Sequence, residues 1–132
     1  MGDPLNLLLD TCTLIWLCCE PGKLSPPATQ SLSQLGNRRF LSMASLLEIV
    51  IKQGSGKLPL PESPESWIET QTRLQDIEIL ALDRHVIYQS GLLPSVHRDP
   101  FDRWIAAETL FHGMPLVSPD RPFRDFGCET IW

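Results

Sequence analysis

The sequence predicts an α/β fold in which a mainly parallel sheet is covered by helices on both faces. Short apolar runs alternate with longer segments of helical pattern along the 132 residues. The first run, residues 5–9, is almost continuously apolar, as in a strand buried on both faces. Helices that connect parallel strands pack on the faces of the sheet. The length suffices for one sizeable core but not for two, so we expect a single domain over residues 1–132.

Each predicted element is bounded by residues that start or end it. The predicted strands are short segments rich in apolar residues, at residues 5–9, 39–41, 77–80, 116–117 and 130–131. The predicted helices start beside capping residues or prolines, at Thr11, Ser25-Pro26, Ser42, Ser63-Pro64, Asp83 and Asp99-Pro100. They end at proline or glycine, at Pro21-Gly22, near Leu35 before Gly36, at Gly54, near Gly91 and at Gly113. In the helix from Pro64, we expect Trp67, Ile68 and Leu74 to face the core.

Asp10 and Asp120 lie at the carboxyl ends of predicted parallel strands, where such sheets usually place their functional residues. Asp10 directly follows the first predicted strand, and Asp120 follows the fourth after two residues. Ligands of such sheets bind beyond the carboxyl ends of the strands. Each acid also has a purely structural explanation, since Asp10 can cap the next helix and Asp120 can start a turn with Pro122. Neither residue alone decides between the two explanations.

Glu48 and Asp102 lie within predicted helices. Glu48 interrupts the apolar stretch of residues 46–51, and a half-buried carboxylate there needs a partner such as a cation. The alternative is an exposed ion pair with Lys52, four residues further on. Asp102 falls in the first turn of a helix capped by Asp99, where both acids favour the helix dipole without any further role. For Asp99 we adopt this structural interpretation.

The four acids together predict a metal centre. If Asp10, Glu48, Asp102 and Asp120 gather in one pocket, they repel one another, and at least one stays protonated near neutral pH. Mg²⁺ or Mn²⁺ removes that cost, because both ions prefer oxygen ligands. Such a site can lower the pKa of a bound water and stabilise charge on a phosphodiester.

The charge balance limits how the protein could contact nucleic acid. The formal net charge is −5, from 11 Lys and Arg against 16 Asp and Glu, whereas phosphate contacts usually need basic residues. A bound divalent cation would reverse the local sign. The candidates for phosphate contacts are Lys52, Arg98, Arg103 and Arg121, and a surface salt bridge is the alternative for each.

The cysteine spacing disfavours a zinc site, and the composition of the apolar N-terminal segment disfavours a membrane span. No zinc-ligand spacing occurs among the cysteines, and we expect reduced packing residues at Cys12, Cys18, Cys19 and Cys128. The segment of residues 5–19 contains Asn6 and Asp10 and is shorter than the roughly 20 apolar residues of a membrane span. We therefore expect a cytoplasmic protein without membrane association.

Several segments in order resemble the PIN-domain ribonucleases, and more narrowly the VapC-type toxins of bacterial toxin–antitoxin pairs. The matching segments are residues 7–16 (LLLDTCTLIW), 42–49 (SMASLLEI) with Lys52, 56–58 (GKL), 97–107 (HRDPFDRWIAA) and 116–123 (LVSPDRPF). The resemblance implies a compact three-layer α/β/α domain with a parallel, usually five-stranded sheet. It assigns the metal-binding acids to Asp10, Glu48, Asp102 and Asp120. It also assigns Thr11 and Ser118 to orienting ligands or water, with Ser118 replacing the more usual Thr.

The resemblance further implies an activity and partners. The expected reaction is Mg²⁺- or Mn²⁺-dependent endonucleolytic hydrolysis of RNA, which leaves 5′-phosphate and 3′-hydroxyl ends. The expected partners are a second copy of the chain, in a homodimer, and a small DNA-binding antitoxin protein. An apolar surface for that antitoxin would use Trp16, Leu17, Leu47 and Val50.

Two other enzyme and signalling classes fit the sequence poorly, and one binding class stays open. A phosphatase of the haloacid dehalogenase type needs a second Asp two residues after the first, where this chain has Cys12. A receiver domain needs an acidic cluster at the first strand together with an Asp on the third. A PIN-like module that binds RNA or protein without cutting stays open as the main alternative, although the chain keeps all four acids.

Overall fold

A computed structural model describes residues 3–132, so the first two residues of the expected domain lie outside the described range. The strands are β1 (Asn6–Leu9), β2 (Arg38–Leu41), β3 (Ile77–Ile79), β4 (Leu116–Val117) and β5 (Thr130–Ile131). The helices are α1 (Thr11–Cys19), α2 (Pro26–Ser33), α3 (Met43–Gly54), α4 (Pro64–Leu74), α5 (Arg84–Leu92), α6 (Pro100–His112) and α7 (Pro122–Asp125). A short 3₁₀ turn covers Pro21–Lys23.

The described strands form one sheet of five, in the order β3-β2-β1-β4-β5. Every pairing in this sheet is parallel. The predicted fold class, including the five-stranded parallel sheet, is confirmed. The chain builds outward from β1 in one direction and then returns to place β4 on its other side. A crevice at such a reversal is where open parallel sheets bind ligands.

The apolar run of β1 places it in the centre of the sheet. Leu7, Leu8 and Leu9 are fully buried, and their side chains alternate between the two faces. Leu7 and Leu9 belong to a core with residues from α1, α2 and α4. Leu8 belongs to a second core with residues from α6 and α7. Both layers of helices therefore pack on this one strand.

Capping residues fix the helices that leave the sheet. The Ser42 hydroxyl accepts a hydrogen bond from the Ala44 N–H at the start of α3. The Asp99 carboxylate accepts from the Phe101 and Asp102 N–H groups at the start of α6, which agrees with its structural interpretation. Gly113 ends α6 in the left-handed conformation, with φ 65°.

Two details of the sequence-based prediction are wrong. Helix α2 ends at Ser33 rather than near Leu35, and Leu35 is 94% exposed. Leu74, expected in the core, is 68% exposed. It is the last residue of α4, in a turn where Thr72 is the buried residue. The helix α7 and the 3₁₀ turn were not predicted.

All four cysteines are free thiols. Cys128 is buried, Cys12 and Cys18 are half-buried, and Cys19 is exposed at the end of α1. None of the helices within residues 3–132 combines the length and the apolar character that a membrane crossing requires.

Candidate metal centre

A pocket of about 270 Å³ opens at the carboxyl ends of β1 and β4. It lies between α1, α3, α6 and the loop after β4. The residues that line it are Asp10, Thr11, Cys12, Ile15, Glu48, Lys52, Lys57, Leu58, Asp102 and Asp120. The four acids predicted to hold a metal thus share one cavity, although they are far apart in sequence.

Asp10 serves as both a helix cap and a pocket residue. The residue is 4% exposed. One oxygen, Oδ1, accepts a hydrogen bond from the Thr11 N–H at 2.7 Å and caps α1. The other, Oδ2, accepts from the Ser118 hydroxyl at 2.8 Å and from the Cys12 thiol at 3.4 Å. The capping role and the pocket role therefore coexist in one side chain.

The loop after β4 brings Asp120 next to Asp10. The Asp120 N–H donates to the Ser118 hydroxyl oxygen at 3.0 Å, and that hydroxyl in turn donates to Asp10. Ser118 is 1% exposed, and its two hydrogen bonds hold the loop after β4 against the end of β1. One carboxylate oxygen from each acid and the Cys12 sulfur lie within 4.8 Å of one another. This separation allows one ion to contact all three.

Helices α3 and α6 supply the other two acids. The Glu48 side chain is 12% exposed, and Lys52 Nζ lies 2.6 Å from its Oε2. The ion pair expected as the alternative for Glu48 thus exists, but it lies inside the pocket lining. Asp102 is half-buried in the first turn of α6, close enough to Glu48, Asp99 and Asp120 for their charges to act on it.

Burial and mutual repulsion oppose ionisation of the acids. Burial, with a contribution from the charge of Asp120, raises the pKa of Asp10 from 3.8 to about 7, although the Ser118 hydrogen bond lowers it. Burial, followed by the charges of Asp99, Glu48 and Asp120, raises the pKa of Asp102 to about 6. A divalent cation compensates such charge, and carboxylate oxygens are its preferred ligands. The donor set therefore fits Mg²⁺ or Mn²⁺.

Comparison with known proteins gives the family. The model of the PIN domain family matches residues 7–127. The chain belongs to the PIN-domain family. This PIN domain is 27% identical over 131 residues to Ribonuclease VapC22 of Mycobacterium tuberculosis, with 96% of this chain and 98% of that protein covered.

Solved structures share the fold of this PIN domain. It matches a chain of VapBC-1 from nontypeable Haemophilus influenzae with a TM-score of 0.69, 18% identity and 96% coverage of each chain. It matches a chain of DNA-bound VapBC from Salmonella typhimurium with a TM-score of 0.71, 21% identity and 96% coverage of each.

Among the residues that the structure describes, only part of the predicted basic set reaches the pocket of this PIN domain. Lys52 lines it, whereas Arg98 and Arg121 are exposed outside its lining. Arg103 is a correction to the phosphate-contact set. Its guanidinium donates four hydrogen bonds of 2.8–3.0 Å to backbone carbonyls, of Ser90, Leu93, Pro94 and His97. It therefore holds the loop before α6 instead of facing the pocket.

Lys57 and Cys12 line the pocket, but sequence reasoning gave neither a role in the site. The chain reverses after α3 at Gly56, with φ 77°, and the Lys57 N–H donates to the Lys52 carbonyl. This turn returns Lys57 to the pocket, and the Gly56-Lys57 pair was its signal. Cys12, assigned from the sequence to packing, is two residues after Asp10 on the first turn of α1.

Glu108 is a buried acid that the sequence analysis did not single out. It lies on α6, is 3% exposed, and accepts a hydrogen bond from the Ser42 hydroxyl. Burial raises its pKa. The bond joins the start of α3 to α6, which are the helices that carry Glu48 and Asp102. A charged residue within the apolar run of residues 105–111 was the available signal.

The other predicted contact residues divide between core and surface. The Thr11 hydroxyl donates to Ser45 at 2.9 Å and ties α1 to α3, and Thr11 also lines the pocket. Trp16 packs against Trp132, with ring centroids 5.7 Å apart, and Leu17 packs against the first core. Leu47 and Val50 are 44% and 48% exposed. Only these last two form part of an open apolar surface.

Proposed function

We propose that this chain is a metal-dependent endoribonuclease that hydrolyses RNA phosphodiester bonds and acts as the toxin of a toxin–antitoxin pair. The observation that carries the proposal is the shared pocket of Asp10, Glu48, Asp102 and Asp120 at the carboxyl ends of β1 and β4. The name of the similar Ribonuclease VapC22 supports the reaction type. We further propose that the protein acts in the cytoplasm.

The four carboxylates are the proposed ligands of Mg²⁺ or Mn²⁺. Bound there, such an ion supplies an activated water and stabilises charge that develops on the phosphodiester. The raised pKa values of Asp10 and Asp102 fit a site whose acids become fully charged when a cation is bound. Ser118 directs the carboxylate of Asp10 into the pocket through its hydrogen bond.

Lysines at the rim are the proposed phosphate contacts. Lys52 and Lys57 line the same pocket as the acids, and the Lys52 side chain is 48% exposed. Their ammonium groups can hold a phosphate as point charges. A water nucleophile does not require the RNA 2′-hydroxyl, so the products should carry 5′-phosphate and 3′-hydroxyl ends. A preference for RNA must then come from its shape and its base contacts.

The reaction is tested with purified protein and structured RNAs, in Mn²⁺, Mg²⁺ or EDTA. We expect cleavage with either ion and none with EDTA. Asp120→Asn should abolish it, because this removes a charged ligand. Asp83→Asn is the matched control: Asp83 caps α5 through the His85 N–H, and among the described residues it is outside the pocket lining. Failure of the wild type to cut with either ion would instead favour the binding module without activity.

The proposed protein partner is an antitoxin that covers the pocket. The structural relatives include VapBC complexes. In this chain, α3 presents Met43, Leu47, Val50 and Ile51 at 37–50% exposure, beside Glu48 and Lys52 of the pocket. An apolar helix face next to a charged groove suits a protein segment that blocks RNA entry. Co-expression with the protein of the neighbouring reading frame should yield a complex without nuclease activity, and free nuclease alone would contradict the assignment.

A further inference from the structure

Helices α3 and α6 meet at two points, and a hydrogen bond holds one of them. At the pocket end, burial, followed by the charges of Asp99 and Glu48, raises the pKa of Asp102 on α6, so Glu48 on α3 and Asp102 repel each other. At the other end, the hydroxyl of Ser42, which caps α3, donates a hydrogen bond to the carboxylate of Glu108 on α6. In the part of the chain that the structure describes, no other side-chain hydrogen bond joins α3 or its cap to α6.

The two contacts lie at matching positions along both helices. Glu48 follows Ser42 by six residues, and Glu108 follows Asp102 by six residues. Helix α3 therefore runs in the direction opposite to α6, and six helical residues span about 9 Å. The bond between Ser42 and Glu108 thus lies less than two helical turns from the repelling acids. Because packed interiors transmit strain, a shift of the helices at this bond should also move the acids.

Glu108 is held firmly in its position. It is 3% exposed, and burial raises the pKa of its carboxyl, while hydrogen bonds from Ser42 and Trp104 lower it. A buried carboxyl group without hydrogen bonds would be costly, so these two donors fix its orientation. The Ser42 hydroxyl is fixed in turn, because its oxygen accepts from the Ala44 N–H at 2.9 Å, and Ala44 packs in the second core with residues of α6. The contact therefore ties the start of α3 to one point on α6.

We propose that Glu108 is a positioning residue of the metal centre, whose hydrogen bond with Ser42 sets the separation of α3 and α6. That separation keeps Glu48 and Asp102 together in the pocket against their mutual repulsion. This inference rests on the proposed function, because it concerns the ligands of the same ion. Glu108 lies outside the pocket lining, so it acts through the two helices and does not bind the ion itself. Ligands that are held in place before the ion arrives bind it more tightly.

Mn²⁺ titrations followed by electron paramagnetic resonance test this role without measuring activity. Glu108→Met keeps the length of the side chain but removes the oxygen that accepts from Ser42. It should weaken Mn²⁺ binding about fivefold, because the hydrogen bond no longer opposes separation of the helices. Glu108→Gln should retain the wild-type affinity, since its amide oxygen can still accept the bond.

Thr109→Val is the matched control on the same helix. Thr109 is 2% exposed, and its hydroxyl donates to the Ala106 carbonyl at 2.8 Å and to the Cys128 sulfur at 2.9 Å. Neither acceptor belongs to α3, so the substitution removes buried hydrogen bonds of α6 without changing its contact with α3. It should lower the free energy of unfolding in urea but leave the Mn²⁺ affinity unchanged.

Ser42→Ala removes the same bond from the side of α3 and should weaken Mn²⁺ binding as much as Glu108→Met does. It also removes the cap of α3, so its control is Ser63→Ala, which removes the cap of α4 and should bind Mn²⁺ normally. Combining Ser42→Ala with Glu108→Met should weaken binding no further than either change alone, because both remove one interaction.

The outcomes separate this inference from the proposed function. Wild-type Mn²⁺ affinity in Glu108→Met and Ser42→Ala would overturn the inference alone. The same holds if Glu108→Gln binds as weakly as Glu108→Met, or if Thr109→Val weakens binding equally. Absence of Mn²⁺ binding by the wild type would overturn the inference together with the proposed function.

Discussion

Replacing Asp10 by Asn should stabilise the metal-free protein while removing the proposed metal binding. Asp10 is 4% exposed, and its charged form is opposed by burial and by the charge of Asp120. Asn has almost the same shape and carries no charge. Its side-chain oxygen can still accept from the Thr11 N–H, and its amide can donate to the Ser118 hydroxyl oxygen. The substitution thus removes the unfavourable charge and keeps the contacts of the helix cap.

The size of the effect follows from the raised pKa of Asp10. That pKa rises from 3.8 to about 7, and a change of one in a pKa corresponds to about 1.4 kcal/mol between the two protonation states. At pH 8 the ionised carboxylate therefore costs the folded, metal-free protein at most about 4 kcal/mol relative to a neutral side chain. Because the new amide hydrogen bonds replace stronger charged ones, we expect a net gain of about 2 kcal/mol in the free energy of unfolding.

Urea unfolding at pH 8 in EDTA measures this gain, followed by circular dichroism. Asp83→Asn is the control, since it makes the same change at the half-buried cap of α5, outside the pocket lining, and should alter the free energy of unfolding by less than about 0.5 kcal/mol. At pH 5 the difference between Asp10→Asn and wild type should shrink, because the wild-type carboxyl is then protonated. Equal or lower stability of Asp10→Asn at pH 8 would show that the charge of Asp10 does not destabilise the metal-free protein.

Three further predictions follow from the same contacts. In urea unfolding, the metal-free wild type should lose stability between pH 5 and pH 8. The pKa values of Asp102 and Asp10 are raised in the folded protein, to about 6 and about 7, so these acids favour folding only while they are protonated. Constant stability over this range would contradict those pKa values. Arg103→Ala should lower the free energy of unfolding by about 2 kcal/mol, because four backbone carbonyls lose their charged donor. Its Mn²⁺ affinity, measured by calorimetry, should stay unchanged. A loss of Mn²⁺ binding in this variant would show that Arg103 does belong to the metal site. Glu48→Gln should weaken Mn²⁺ binding about tenfold. It should change the free energy of unfolding by less than about 1 kcal/mol, because the loss of the ion pair with Lys52 offsets the relief of charge repulsion with Asp102. A larger destabilisation would show that Glu48 has a structural role.

The order of elements was predictable because local signals and burial agree along most of the chain. The apolar residues 7–9 indicate a central strand, and Asp10 ends that strand by capping α1. Serine or aspartate caps fix the starts of α2, α3, α4 and α6, and a proline follows the cap in α2, α4 and α6. The order of the strands within the sheet was not predicted, because no local signal shows that the chain returns after β3 to place β4 beside β1. The exposure of Leu74 was not predictable, since the apolar pattern favours Leu74 for the core, whereas the structure buries the polar Thr72 in that turn.

The residues of the candidate site were likewise predictable only in part. The positions of Asp10 and Asp120 follow from the strand ends, since parallel strands bring their carboxyl ends to one edge. The role of Arg103 depends on the path of residues 90–97, which carry no strong local signal, and only the structure reveals its four carbonyl partners. The return of Lys57 to the pocket likewise depends on the turn at Gly56.

The proposed function requires that acids distant in sequence bind one divalent ion together. Mn²⁺ titrations followed by electron paramagnetic resonance measure this binding for wild type, Asp10→Asn, Asp120→Asn and the Asp83→Asn control under the same conditions. We expect saturable binding by wild type and the control, and at least about tenfold weaker binding by both pocket variants. Unchanged Mn²⁺ affinity in both pocket variants would contradict it.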